Sequence, residues 1–122
     1  MIYHITTKAE WEQAQKAGSY TAPSLETEGF IHFSTREQIL KVANAFYRNS
    51  DALVLLCVNE DSLAPIVKWE DPVHPNPNTA PDTHKAELFP HVYGAIDVSA
   101  VMDVVDFPEG ENGFRLPDNL PK

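Results

Sequence analysis

Gly29-Phe30-Ile31-His32-Phe33-Ser34-Thr35 sets a histidine in a short apolar run that stops at two hydroxyl residues. Side chains of a β-strand alternate between faces, so Ile31 and Phe33 are expected in a core while Phe30, His32 and Ser34 share the opposite face. The chain opens on the same design. In Tyr3-His4-Ile5-Thr6, Tyr3 and Ile5 are expected to face the core and His4 and Thr6 the other side. Two strands thus each carry His-x-(Ser/Thr), and the sequence predicts that His4 and His32 project into one shared hollow.

Outward from this stretch, Ile2–Thr6 reads as a strand, and Thr7 with Glu10 has the spacing of a capping box that opens a helix. Trp11, Ala14 and Ala17 recur at helical spacing, and Gly18 is a C-terminal stop. Residues 19–28 read as a loop holding Pro23, Glu26 and Glu28. Ser34 and Glu37 form a second capping pair. The helix after them places Ile39, Val42, Ala43, Phe46 and Tyr47 on one face, and its N-terminus would lie within a turn of His32, suited to an anionic group. Ala52–Val58 has no polar interruption, which predicts a central strand buried on both faces. Leu63–Pro65 reads as a turn and Ile66–Glu70 as a strand.

Residues 71–83 carry prolines and asparagines at a density that excludes helix and paired strand, so they read as a loop holding His74. His84 follows directly. Glu87-Leu88-Phe89-Pro90-His91-Val92-Tyr93-Gly94 is a second aromatic and ionisable cluster, and Pro90 predicts an edge strand or a bulge. Ile96–Ala100 is a connection and Val101–Phe107 the last strand. Residues 1–107 are expected to form one domain, with 108–122 a tail that wraps the surface through Phe114 and Leu116. Strand, helix, strand, helix and then mostly strands predicts an α+β domain with two main helices over a bent sheet.

Composition narrows the function. The 122 residues are 43% hydrophobic, enough for one core. No apolar run reaches bilayer length and the N-terminus has no signal-peptide pattern, so a cytoplasmic protein is expected. A net charge of −9, with Arg36, Arg48 and Arg115 the only arginines, disfavours a nucleic-acid partner. A pocket for a small nucleotide remains compatible with that balance. Cys57 lies inside the apolar run and reads as a buried, inert thiol. The two His-x-(Ser/Thr) motifs also fit a cyclic phosphoesterase, with one histidine as base and the other as acid. His4, His32 and His91 with a carboxylate could hold a metal, but their spacing matches no short metal motif, and no metal is assigned.

In this order, Tyr3-His4-Ile5-Thr6, Trp11, Gly29-Phe30-Ile31-His32-Phe33-Ser34-Thr35, Trp69-Glu70 and Phe89-Pro90-His91-Val92-Tyr93-Gly94 resemble the signature of the bacterial family called domain of unknown function 952. The resemblance implies an ADP-ribosyltransferase-like fold, a curved, split antiparallel sheet that grips NAD in a cleft. It places His4 and His32 at the two histidine positions of that cleft. Glu87 and Glu70 are the candidates for a third, acidic position, and an apolar residue there would put glutamate-dependent transfer in doubt. On this reading the catalytic residues are His4, His32 and Glu87, with Thr6, Phe30, Ser34, Thr35, His91 and Tyr93 binding the nucleotide.

Breaking the nicotinamide–ribose bond builds positive charge on the ribose carbon, which a carboxylate stabilises while aromatic rings hold the leaving group. The expected activity is NAD or ADP-ribose-like nucleotide binding, with NAD as a substrate rather than a required cofactor. The alternative is a ligand-binding domain without turnover.

Overall fold

The computed structural model describes residues 1–50, 52–70, 88–111 and 113–121. It is an α+β fold built from small antiparallel sheets and, among the described residues, three α-helices. The predicted loop at 71–83, together with His74, His84 and Glu87, lies outside the described residues.

Strand β1 (Ile2–Thr7) pairs antiparallel with β4 (Leu53–Val58), and β4 pairs on its other edge with β8 (Val101–Asp106). All six residues of β4 are buried, as expected of an uninterrupted apolar run between two neighbours. The register sets His4 opposite Leu56 and Ile2 opposite Val58. Even positions of both strands therefore share one face and odd positions the other.

Both faces of this sheet are covered. On one side Ile2, Val54, Leu56 and Val58 pack with Trp11, Tyr20, Ile31, Phe33 and Val92. On the other, Tyr3, Ile5, Leu55 and Cys57 pack with Ile39, Ala43, Phe107, Phe114 and Leu120. The expectation that His4 and Thr6 face away from a core is thereby corrected. A second apolar layer lies over them as well, and both are buried.

Helix α1 (Lys8–Ala17) starts where the sequence predicts. The Thr7 side chain accepts the Glu10 backbone N–H at 3.1 Å, and Gly18 closes the helix at φ +87°. That left-handed conformation is open to glycine at little cost. Thr7→Ala is expected to lower stability by about 1 kcal/mol, the usual worth of such a cap, measured by urea denaturation.

The span 19–28 is more structured than a plain loop. Ser19–Tyr20 forms β2, and Pro23–Thr27 forms a short helix α2 with proline in its first turn. Tyr20 is drawn inward because β2 pairs with β7 (Ile96–Asp97), which sets Tyr20 opposite Ile96.

The second predicted capping pair is corrected. Helix α3 (Ile39–Phe46) begins after Gln38 with no side-chain cap. Ser34 instead forms an antiparallel bridge with Tyr3, exchanging backbone hydrogen bonds of 2.7 and 2.9 Å. The strand-to-strand bond overrides the local cap, so α3 starts at Ile39 and not within a turn of His32. Ile39 and Ala43 are buried, whereas Phe46 is 63% exposed rather than on the core face.

Strand β3 (Ile31–His32) pairs with β6 (Phe89–Val92), which pairs with β5 (Val67–Glu70). A 3-10 turn, Glu60–Ile66, leads into β5. Strand β6 is the middle strand of this sheet, not an edge. Opposed residues of an antiparallel pair can exchange two hydrogen bonds. The Phe33 N–H donates to the Pro90 carbonyl at 3.0 Å, and proline has no N–H to return. The β3–β6 ladder ends there, and the chain crosses to bond Tyr3 through Ser34. Proline is tolerated in a middle strand because the ladder to β3 stops there, while pairing to β5 continues with Trp69 opposite Pro90 and Glu70 opposite Phe89.

After β8, residues Glu109–Gly110 (β9) and Gly113–Phe114 (β10) form a small hairpin. Phe114 and Leu120 enter the second core, and the Tyr3 hydroxyl donates to the Pro121 carbonyl at 2.5 Å. This segment belongs to the packed body of the chain.

Candidate functional site

Alternation along the β3-β6-β5 sheet separates two faces. Ile31, Phe33 and Val92 point into the first core, with Val67 packed against it. Phe30, His32, His91, Tyr93, Lys68 and Glu70 fall on the opposite side. The register sets His32 across from His91, and His91 across from Lys68. Three strands thereby place two imidazoles and an ammonium in one row.

The rings of this face touch. Phe30 stacks on His91 at 4.2 Å between centroids and 22° between planes. The His32 ring meets His91 edge-on at 5.5 Å, and Tyr93 lies 5.2 Å from Phe30. Each histidine has its own carboxylate. His32 Nε2 lies 2.8 Å from Glu28 Oε2, a pair held together across Gly29, whose φ of +91° turns the chain back. His91 Nδ1 lies 2.8 Å from Glu70 Oε1, and the same oxygen accepts the Tyr93 hydroxyl at 2.5 Å.

Hydrogen bonds from Tyr93 and His91 hold the Glu70 carboxyl below its usual range, while the Glu70 carboxylate pushes the Tyr93 hydroxyl up. Burial pushes the His91 imidazole down, against the opposing pull of Glu70. At neutral pH the 2.8 Å contact is therefore a neutral imidazole N–H donating to a carboxylate, rather than an ion pair.

His4 lies elsewhere. Its ring packs on Phe33 at 5.3 Å and Tyr20 at 5.2 Å, on the core side of β3, opposite the His32 ring. The two imidazoles do not share a hollow, which corrects the geometry expected of them. His4 Nδ1–H donates to the backbone carbonyl of His32 at 2.5 Å, and Nε2 lies 2.7 Å from the Tyr20 hydroxyl. That hydroxyl has one proton for two acceptors, Nε2 and Thr6 Oγ1 at 3.0 Å. Thr6 Oγ1 in turn donates to Glu10 Oε2 at 2.9 Å, so a buried chain of four side chains ends on a surface carboxylate. Burial pushes the His4 imidazole down to about 4, outweighing the His32 carbonyl that favours its protonation.

Of the predicted binding residues, Phe30, His91 and Tyr93 join His32 on the outer face, and Thr6 belongs to the His4 chain. Ser34 is buried at the Tyr3 bridge, and the Thr35 N–H donates to Gln38 Oε1 at 3.0 Å. Glu28 and Lys68 are not among the sequence's candidates, and Glu70 is one only for the third, acidic position. Alternation in Val67-Lys68-Trp69-Glu70 is a signal that puts Lys68 and Glu70 on one face. Which strand they lie beside has no local signal. Cys57 is a free, buried thiol, pushed up to about 12 by burial, in keeping with an inert role. Among the described residues no group of three or more histidine, cysteine, aspartate or glutamate side chains is placed to hold a metal ion. A hollow lined by Pro108, Gly110, Gly113, Arg115 and Pro117 contains none of the predicted residues.

The family model described as Protein of unknown function (DUF952) matches residues 5–104. The chain belongs to that family. The family's match begins at Ile5, within β1 and just after His4, and runs through most of β8, so it includes His32 and the β5–β6 pair. The crystal structure of protein CC0527 from Caulobacter crescentus is similar at a TM-score of 0.77 and 31% identity, over 93% of this chain and 90% of that one. The solution NMR structure of CC0527 gives a TM-score of 0.72 at 30% identity, over 93% and 89% of the two chains. No curated protein matches the chain. Among the described residues no helix is long and apolar enough to cross a membrane.

Proposed function

We propose that the outer face of the β3-β6-β5 sheet binds a small nucleotide of the NAD or ADP-ribose class, as an ADP-ribosyltransferase-like domain. The observation that carries this reading is the cross-strand pair His32 and His91, each hydrogen-bonded to a carboxylate and flanked by Phe30 and Tyr93. Rings suit a nicotinamide or adenine, imidazoles suit ribose and phosphate oxygens, and carboxylates suit the positive charge that develops when a glycosidic C–N bond breaks. Two three-stranded antiparallel sheets linked at the Tyr3–Ser34 bridge agree with the split sheet that the sequence resemblance implies.

In this reading His32, whose side chain is 36% exposed, meets the ligand. His4 is a positioning residue: through the His32 carbonyl it holds the backbone from which that ring projects. Glu87, the catalytic carboxylate proposed from the sequence, lies outside the described residues, and Glu28 and Glu70 are the carboxylates beside the rings. The His4–His32 version of a cyclic phosphoesterase loses support, because both His4 nitrogens are engaged within the protein.

The test is calorimetric titration and thermal shift with NAD, ADP-ribose, nicotinamide and cyclic phosphates. A ligand at a hundred times its Kd stabilises by about 2.7 kcal/mol, a shift of several degrees. NAD or ADP-ribose is expected to give that shift, and His32→Ala to weaken binding at least tenfold. No response to any of the four compounds rejects the nucleotide reading.

A further inference from the structure

We propose that His91, held by Glu70, is the proton acceptor of this site, and that the group it deprotonates is a hydroxyl that attacks the ribosyl carbon. This deepens the nucleotide reading and rests on it. It names the acceptor class, water or an alcohol, and assigns the base to a residue that the sequence reading places among the binding contacts.

The argument begins with the tautomer. Glu70 is a carboxylate and can only accept, so the contact at 2.8 Å places the His91 proton on Nδ1. Nε2 then carries a lone pair. It makes no hydrogen bond to any of the described residues, although the His91 side chain is 2% exposed. A buried acceptor without a partner is costly, and such groups concentrate where a ligand completes them. The Tyr93 hydroxyl and the His91 N–H share one Glu70 oxygen, which fixes the carboxylate and so the ring. A carboxylate orienting Nδ1–H while Nε2 keeps its lone pair is the arrangement of a histidine general base, and the carboxylate stabilises the imidazolium that forms.

Access comes past His32. That ring stands edge-on to His91 at 5.5 Å with its side chain 36% exposed, and the proposal places the ligand's approach on this side. Phe30 covers one face of His91 by stacking.

The step balances. The hydroxyl proton moves to His91 Nε2 while the hydroxyl oxygen forms its bond to the ribosyl carbon. The bond from that carbon to the pyridinium nitrogen breaks, its electron pair stays with nitrogen, and neutral nicotinamide leaves. The imidazolium returns its proton to solvent.

Two measurements on the full chain test this. Nicotinamide release in water, measured at saturating NAD, is expected to fall about a hundredfold or more in His91→Gln. Glu70→Gln is expected to move the acid limb of the pH–rate profile, which a merely structural contact would leave in place. Imidazole nitrogen NMR is expected to show His91 protonated on Nδ1 and bare on Nε2, with that preference lost in Glu70→Gln. If NAD binds and His91→Gln releases nicotinamide as fast as the parent, the base assignment is overturned while the nucleotide reading stands. Binding with no release by the parent overturns it too. If NAD does not bind, the nucleotide reading fails and the transfer step with it. A proton found on Nε2 overturns the dyad whichever ligand binds.

Discussion

Acidification from pH 7.5 to 4 is expected to remove on the order of 3 kcal/mol of folding stability through His4 alone. The group's ordinary value is 6.5 and burial lowers it to about 4 in the folded chain. In that window the unfolded chain binds the proton and the folded chain does not, so stability falls as pH falls. The contribution is fully present above 6.5 and is lost by about 4. His91 is shifted in the same direction by burial and adds to the slope. The carboxyls held low by their hydrogen bonds, Glu70, Asp97 and Glu109, lose stability only below their ordinary values of 3.8 to 4.5. They leave most of the histidine window clear.

Urea denaturation at a series of pH values measures the effect. His4→Gln removes the titration while keeping an amide donor for the His32 carbonyl, so its profile is expected to flatten to the slope left by His91. Equal slopes in parent and variant would show that His4 is not a buried neutral imidazole. Burial gives the physical reason for that neutrality, and it outweighs the His32 carbonyl, which favours the protonated ring. Nδ1–H is committed to a carbonyl, and among the described residues Nε2 connects outward through the Tyr20 and Thr6 hydroxyls.

Phe114→Ala is expected to cost about 3–5 kcal/mol, the range for removing a buried phenyl ring. The ring is 5% exposed and stacks on Phe107 at 4.8 Å and 26°. The Phe114 backbone N–H donates to Asn44 Oδ1 at 3.0 Å, which ties the hairpin to α3. Leu120 and the Tyr3–Pro121 hydrogen bond continue the attachment. Urea unfolding followed by the fluorescence of Trp11 and Trp69 measures the loss. A cost below about 1 kcal/mol would mean that the core closes without this segment, as a surface substitution would.

The elements that were legible from residues alone are those whose cause is local. Thr7 and Glu10 are one helical turn apart, so the cap, α1 and its stop at Gly18 follow from neighbours in the chain. The apolar run 53–58 can be satisfied only by burial on both faces, and it is the central strand. The motif order also carried the family. Where local cues misled, a distant partner had the stronger claim. Ser34 bonds Tyr3 across the sheets instead of capping α3, and Pro90 sits in a middle strand because the ladder to β3 ends beside it.

The candidate site divides in the same way. Alternation within Phe30-Ile31-His32 determined that Phe30 and His32 share a face, and it held because the pleat is a property of the strand itself. Which strands lie side by side is decided by loop closures and burial across tens of residues. Only the folded chain therefore brings His91, Glu70 and Tyr93 to that face, and only it shows that the first core lies over His4. A period of two reveals that a strand has two sides; it contains no information about what will cover each.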